Sequence, residues 1–171
     1  INELYAPQVS ALSNVAVDPC QGANINQAEA NTPGTLSNLC RQTGVPLANI
    51  GTLSAPSAGQ INNLTGGNPA LEPEDADTTT FGIVFEPDFA KGLTVSVDYY
   101  NIEITKAISS ASVTDVLTNC YGAAANPGFG FNAFCALIFR NPVNGTFNGA
   151  DAPGVSTALS NLGKFKTSGY D

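Results

Sequence analysis

The chain has no histidine, no methionine and very little charge. Without imidazole it lacks the side chain most often used for proton transfer near neutral pH and for binding zinc. No GxSxG turn and no glycine-rich phosphate loop offers another catalytic chemistry. A carboxylate pair such as Glu72 and Asp75 has nothing around it to drive two pKa values apart. We therefore expect no enzyme and no cofactor. Charged residues make up 12% of the chain, about half the share in an average soluble protein, which leaves little charge to solvate a surface. Six Lys and Arg stand against 14 Asp and Glu, for a net charge of -8. They form no basic patch for phosphates, so nucleic acid is excluded as a partner. The lack of Met, with Ile1 in first place, leads us to expect an internal piece of a longer protein. The absence of a signal peptide then says nothing against export.

What is present begins with four cysteines, Cys20, Cys40, Cys120 and Cys135, in two sequence-local pairs. That spacing fits two loop-closing disulfides made in an oxidising compartment, whereas zinc would want CxxC spacing or a His. At 171 residues the chain is long enough for one domain with a sizeable core.

Two adjoining segments alternate with period two. Phe81, Ile83 and Phe85 alternate with Thr80, Gly82 and Val84, and Leu93, Val95, Val97 and Tyr99 alternate with Thr94, Ser96, Asp98 and Tyr100. Residues 86–92 between them are turn chemistry, so residues 77–106 are expected to form a β-hairpin. After Tyr100 the phase changes, because Ile102, Ile104 and Ile108 continue the previously polar side; this marks a bulge or a change of environment. The flanking segments, residues 7–76 and 107–160, are rich in Asn, Gly and Pro. Helical turns are expected there at Leu36–Leu39, Gln60–Leu64, Val113–Asn119 behind a capping box at Ser112, and Cys135–Phe139 behind Asn132. Ile1–Tyr5 and residues 161–171 read as pieces of further strands.

Long loops at one end and short turns at the other are the signature of an outer-membrane β-barrel. The predicted fold is all-β: antiparallel strands of a partial transmembrane barrel, with long disulfide-closed loops bearing short helices. Phe81, Phe85, Phe89, Tyr99 and Tyr100 fall where aromatic girdles would lie. In this reading Leu93, Val95, Val97 and Tyr99 face lipid, and Thr94, Ser96 and Asp98 face the lumen.

The order of motifs resembles a known family. Asn68-Pro69-Ala70-Leu71-Glu72-Pro73-Glu74, then Phe81-Gly82-Ile83-Val84, is similar to the opening of a late barrel strand in TonB-dependent outer-membrane receptors. The segment Gly92–Ile104 with its Asp98-Tyr99-Tyr100 resembles the following strand. Cys120-Tyr121, Phe134-Cys135, Ile138 and Arg140 resemble a paired-cysteine loop of one branch, while Asn161-Leu162-Gly163 with Thr167–Asp171 resembles the next strand. Asn2-Glu3-Leu4-Tyr5-Ala6-Pro7 is similar to the segment before a variable loop. The resemblance implies import of a scarce, bulky nutrient such as a siderophore, vitamin or oligosaccharide across a bacterial outer membrane. It implies lipid, a plug and the remaining barrel as partners, with TonB met only through a missing N-terminal part. Residues 7–76 and 107–160 would be extracellular loops, residues 86–92 a periplasmic turn and residues 161–171 the start of the next strand.

Tyr121, Phe129, Phe131, Phe134 and Arg140 are the candidate ligand contacts, because they lie on a stapled loop. The competing reading, favoured ring by ring, is that the aromatics form the loop's own small core. Glu72, Glu74, Asp75 and Asp77 could offer oxygen ligands to calcium, but without EF-hand spacing a solvated loop is favoured. The alternative function is a released fragment that self-assembles through its strand edges into an extracellular cross-β fibre, against which the Pro and Gly content counts. A secreted disulfide-bonded adhesion module would explain the cysteines but not the order of the motifs.

Overall fold

In the computed structural model, which describes residues 2–22 and 25–171, the chain runs through α1 (Asn2–Tyr5), β1 (Val9–Asn14), α2 (Leu36–Gln42), β2 (Gln60–Thr65), β3 (Asp75–Phe85), β4 (Val95–Ser109), α3 (Val113–Tyr121), β5 (Ile138–Phe139), β6 (Gly154–Ser156) and β7 (Ser160–Tyr170). It divides into two units. One comprises Ile1–Pro69 and Ser110–Leu159, the other Ala70–Ser109 and Ser160–Asp171.

The second unit is an antiparallel sheet in the order β3-β4-β7. It is an open sheet, not a closed barrel. The β3–β4 ladder runs without interruption from Phe85↔Val95 to Asp75↔Thr105. No bulge therefore accompanies the change of alternation after Tyr100. The irregularity lies further on, between Ile104 and Ser109 against β7, where Lys106 takes a φ of +54°. One face carries the rows Phe85↔Val95, Ile83↔Val97 and Phe81↔Tyr99↔Tyr170, then Thr79↔Asn101↔Ser168 and Asp77↔Glu103↔Lys166. The Tyr99 and Tyr170 rings meet on that face with centroids 5.2 Å apart. Tyr100, expected in the same girdle, points to the opposite face, where its hydroxyl lies over Gly169. Strand parity requires this, since neighbours along a strand face opposite ways.

The first unit holds the buried apolar core and a four-stranded sheet in the order β1-β2-β6-β5. The long segments are thus more ordered than their composition suggests. Gln60–Leu64, expected as a helical turn, is strand β2: it pairs antiparallel with β1 and parallel with β6. Ile61 is fully buried there, and the Asn62 amide donates to the carbonyls of Gly149 and Ala152. Partners distant in sequence override a weak local preference. Gly154 opens β6 at φ +85°, and a Cβ there would collide with the Asn62 carbonyl.

Asn2–Tyr5 is one helical turn rather than a strand remnant, and the strand follows it as β1. The helix expected at Cys135–Phe139 stops after a 3-10 turn, Cys135–Leu137, because Ile138 and Phe139 pair with β6. α3 follows its capping box, with the Ser112 hydroxyl accepting from the Asp115 N–H and the Asp115 side chain accepting from the Ser112 N–H. Val113, Val116, Leu117, Cys120 and Tyr121 then fall on one buried face. Uncharged amides satisfy much of the connecting backbone. Asn126 donates to the Cys120 and Gly130 carbonyls, Asn132 accepts from Phe134 and Cys135, and Asn141 accepts from Val143 and Asn144.

Candidate functional site

Both disulfides lie in the first unit. Cys20 joins Cys40 and Cys120 joins Cys135, so no described cysteine is free. The first ties the segment after β1 to α2, and the second ties the end of α3 to the turn before β5. Between these staples sits a buried polar knot. Arg140 donates from Nη1 to Asp18 Oδ2 at 2.7 Å and from Nη2 to Asp18 Oδ1 at 2.8 Å. Such a two-pronged pair matches the planar end of the guanidinium to both carboxylate oxygens. Nη1 also donates to the Gly145 carbonyl at 2.8 Å, and Nη2 approaches the Tyr121 hydroxyl at 3.3 Å. The Phe147 ring lies under the guanidinium, 3.9 Å from its central carbon.

Asp18 Oδ1 accepts in addition from the Cys20 N–H at 2.8 Å, and the Tyr121 hydroxyl shares a 2.6 Å hydrogen bond with Thr43 Oγ1. Burial pushes the Tyr121 phenol above its ordinary value, with the Arg140 charge pulling the other way. Charges taken this far from water stay ionised only when paired and hydrogen-bonded. The knot meets that requirement except at Arg140 Nε, which has no partner among the described residues.

Two open clefts flank the knot. The larger, about 570 Å³, is lined by Gly44, Phe131, Ile138, Phe139, Pro142 and Pro153 among others, with Arg140 at its base. Phe131 and Phe139 are about half exposed, and Val143 nearby in sequence is 79% exposed. The smaller, about 360 Å³, lies between Val15, Val17, Pro19 and the α3 residues Thr114, Leu117, Thr118 and Tyr121.

The five candidate contacts are therefore not equivalent. Phe131 is an exposed ring on the larger cleft. Phe129 and Phe134 are half-buried and pack against the core. Tyr121 and Arg140 are buried, with their polar atoms engaged inside the knot. Sequence reasoning missed Asp18 and Thr43. Only the placement of Asp18 two residues before Cys20, in the segment a disulfide would hold, hints at its role.

The acidic residues disperse. Glu72 pairs with Lys106 at 2.7 Å, Glu74 accepts from the Ile108 N–H at 2.6 Å, and Asp77 stands opposite Glu103 in the ladder. Among the described residues no group of three or more His, Cys, Asp or Glu side chains comes together to hold a metal ion.

Among the described residues no helix is long and apolar enough to cross a membrane. No curated protein and no solved structure matches the chain. Residues 40–171 match the family model described as TonB dependent receptor-like, beta-barrel.

Proposed function

Because the chain belongs to the TonB-dependent receptor family through its β-barrel domain, we propose that it supplies one stretch of barrel wall and two outer loops to a receptor that imports a scarce, bulky nutrient. The observation that carries this reading is the asymmetry of the chain around one sheet. β3 and β4 are joined by a few residues at one end, while residues 110–159 separate β4 from β7 at the other. Barrel strands with short periplasmic turns and long external loops have this layout.

On this reading residues 77–106 cross the membrane as a hairpin, residues 86–92 turn in the periplasm, and residues 161–171 begin the next crossing. Residues 7–76 and 107–160 form the extracellular part. Leu93, Val95, Val97 and Tyr99 face lipid, and Thr94, Ser96 and Asp98 face the lumen. The plug, the remaining barrel and a TonB contact belong to the rest of the receptor. Phe131 and the cleft beside it are the ligand contact, with siderophores, vitamins and oligosaccharides as the substrate classes. The disulfides and the Arg140–Asp18 pair hold that surface rigid, which lowers the ordering cost of binding.

Single cysteines test the orientation in intact cells with a membrane-impermeant maleimide. Val143→Cys should react directly, and Lys91→Cys only after the outer membrane is permeabilised; the reverse pattern overturns the reading. Transport is tested by uptake of a labelled ferric siderophore, cobalamin and oligosaccharides. Loss of one on deleting the receptor, with a weakened apparent affinity in Phe131→Ala, is the expected result.

A further inference from the structure

The apolar side of the β3-β4-β7 sheet changes faces partway along the strands, although the ladder does not slip. Near the 86–92 turn, one face is apolar in three successive rows, Phe85↔Val95, Ile83↔Val97 and Phe81↔Tyr99↔Tyr170. The next row on the same face is Thr79↔Asn101↔Ser168, and the one after it is Asp77↔Glu103↔Lys166. The opposite face runs the other way. It begins with the mixed row Val84↔Ser96, continues through Gly82↔Asp98, Thr80↔Tyr100↔Gly169 and Thr78↔Ile102↔Thr167, and is apolar on all three strands only at Ala76↔Ile104↔Phe165.

A register slip would produce such a swap by turning every side chain over. It is ruled out here, because pairing is continuous through the crossover on both sides of β4, from Tyr99↔Tyr170 to Ile104↔Phe165 and from Phe85↔Val95 to Asp75↔Thr105. Side-chain contacts place the rows on one face independently. Tyr99 meets Tyr170, and Glu103 bonds Lys164 at 2.6 Å and Lys166 at 3.3 Å. What changes along the sheet is therefore the medium outside it.

We propose that the bilayer hydrocarbon ends, on this sheet, at the row Thr79–Asn101–Ser168, and that Asp77, Glu103, Lys164 and Lys166 stand beyond it among headgroups and water. The proposal rests on the reading of this sheet as barrel wall and gives that wall its outer waterline. Charge on a lipid-facing position costs about 2–4 kcal/mol at the midplane and falls towards zero at the interface. Four charged side chains gathered on one face cannot lie in hydrocarbon. The Tyr99–Tyr170 pair, one row below the boundary, sits where amphipathic rings gather at a membrane surface. The height is consistent. The run from Leu93 to Asn101 spans about 27 Å of extended chain, and a tilt of about 40° reduces this to about 20 Å, near the apolar band of about 25 Å in such barrels. Below it, Glu86, Asp88 and Lys91 in the turn mark the other aqueous side.

The test uses the full receptor in intact cells with one added thiol at a time. The positions are Ile83→Cys and Val97→Cys below the boundary, and Asp77→Cys and Lys166→Cys above it. All four lie on the same face and fall on three strands. The four cysteines among the described residues are paired, and the receptor without an added thiol supplies the background to subtract. Reaction with a membrane-impermeant maleimide is normalised to the total thiol in denatured, outer-membrane-extracted protein, so a variant that fails to assemble is recognised by its absence there. Hydrocarbon holds no water to support the reaction, so Asp77→Cys and Lys166→Cys should react at least about tenfold faster than the other two. Slow reaction at all four positions would leave the wall in lipid and move its boundary outward, overturning the proposal alone. Fast reaction at all four would mean that no lipid covers this face, and would overturn both the proposal and the reading beneath it.

Discussion

Removing Asp18 should loosen the whole first unit, because Arg140 is then buried with nothing to balance it. The Arg140 side chain has no exposed surface and that of Asp18 is 2% exposed, so water does not replace the lost partner. Asp18→Ala deletes both prongs of the pair and the acceptor of the Cys20 N–H, leaving the guanidinium with the Gly145 carbonyl, the Tyr121 hydroxyl and the Phe147 face. Breaking a buried pair from one side costs about 3–5 kcal/mol. Native-state hydrogen exchange on the full receptor reads this at the amides of α3 and β2, which should exchange roughly two to four orders of magnitude faster, at about 1.4 kcal/mol per decade. Replacing both partners, as Asp18→Leu with Arg140→Met, removes the charge along with its partner and should come out near neutral. An increase below about tenfold in Asp18→Ala would show that the pair contributes little, and the account of the knot would fall.

The Tyr121 phenol is raised above its ordinary value, near 10, mainly by burial. The folded state therefore holds this proton longer than the unfolded state. Its contribution to stability is complete below about pH 10 and is lost as pH rises through the folded value. Melting of the receptor's near-ultraviolet signal between pH 9 and 11 should fall less steeply in Tyr121→Phe than in the parent. Replacing either disulfide with a serine pair opens a loop of 15 or 20 residues and should cost about 3 kcal/mol by the chain-entropy account, seen as faster proteolysis of residues 110–159. Val97→Arg, at the middle of the run from Leu93 to Asn101, should destabilise the receptor by about 2–4 kcal/mol, with Ser96→Arg tolerated on the other face. Urea unfolding into lipid vesicles measures both, and equal costs would refute the facing assignment.

The strands were the most legible part of the sequence, because period-two alternation is a local signal that the ladder then uses directly. The capping box of α3 and the cysteine pairs were readable for the same reason, each depending on residues a short distance apart. The inner structure of the long segments was not. β2 carries only Ile61 and Leu64 as apolar residues among amides, and it exists because β1 and β6 supply its partners from either side. The site was legible in its rings and not in its charges. Phe131 could be singled out as an aromatic on a stapled loop, but Arg140 looked free to meet a ligand because Asp18 lies 122 residues away. The change of alternation after Tyr100 was visible too. Its cause required the register, which shows an unbroken ladder.

The 122-residue interval between Asp18 and Arg140 also sets an order of events. Asp18 emerges first during synthesis and export and remains unpaired until the whole β3–β4 hairpin has followed it. β2 can pair with β1 at once, but its other edge waits for β6, since a parallel partner cannot come from an adjacent turn. The first segment can form its β1–β2 ladder and its Cys20–Cys40 bridge by itself, but its buried charge is matched only when the second segment arrives. The unit's final locking step comes only with residues beyond α3, after the hairpin is already available to be placed.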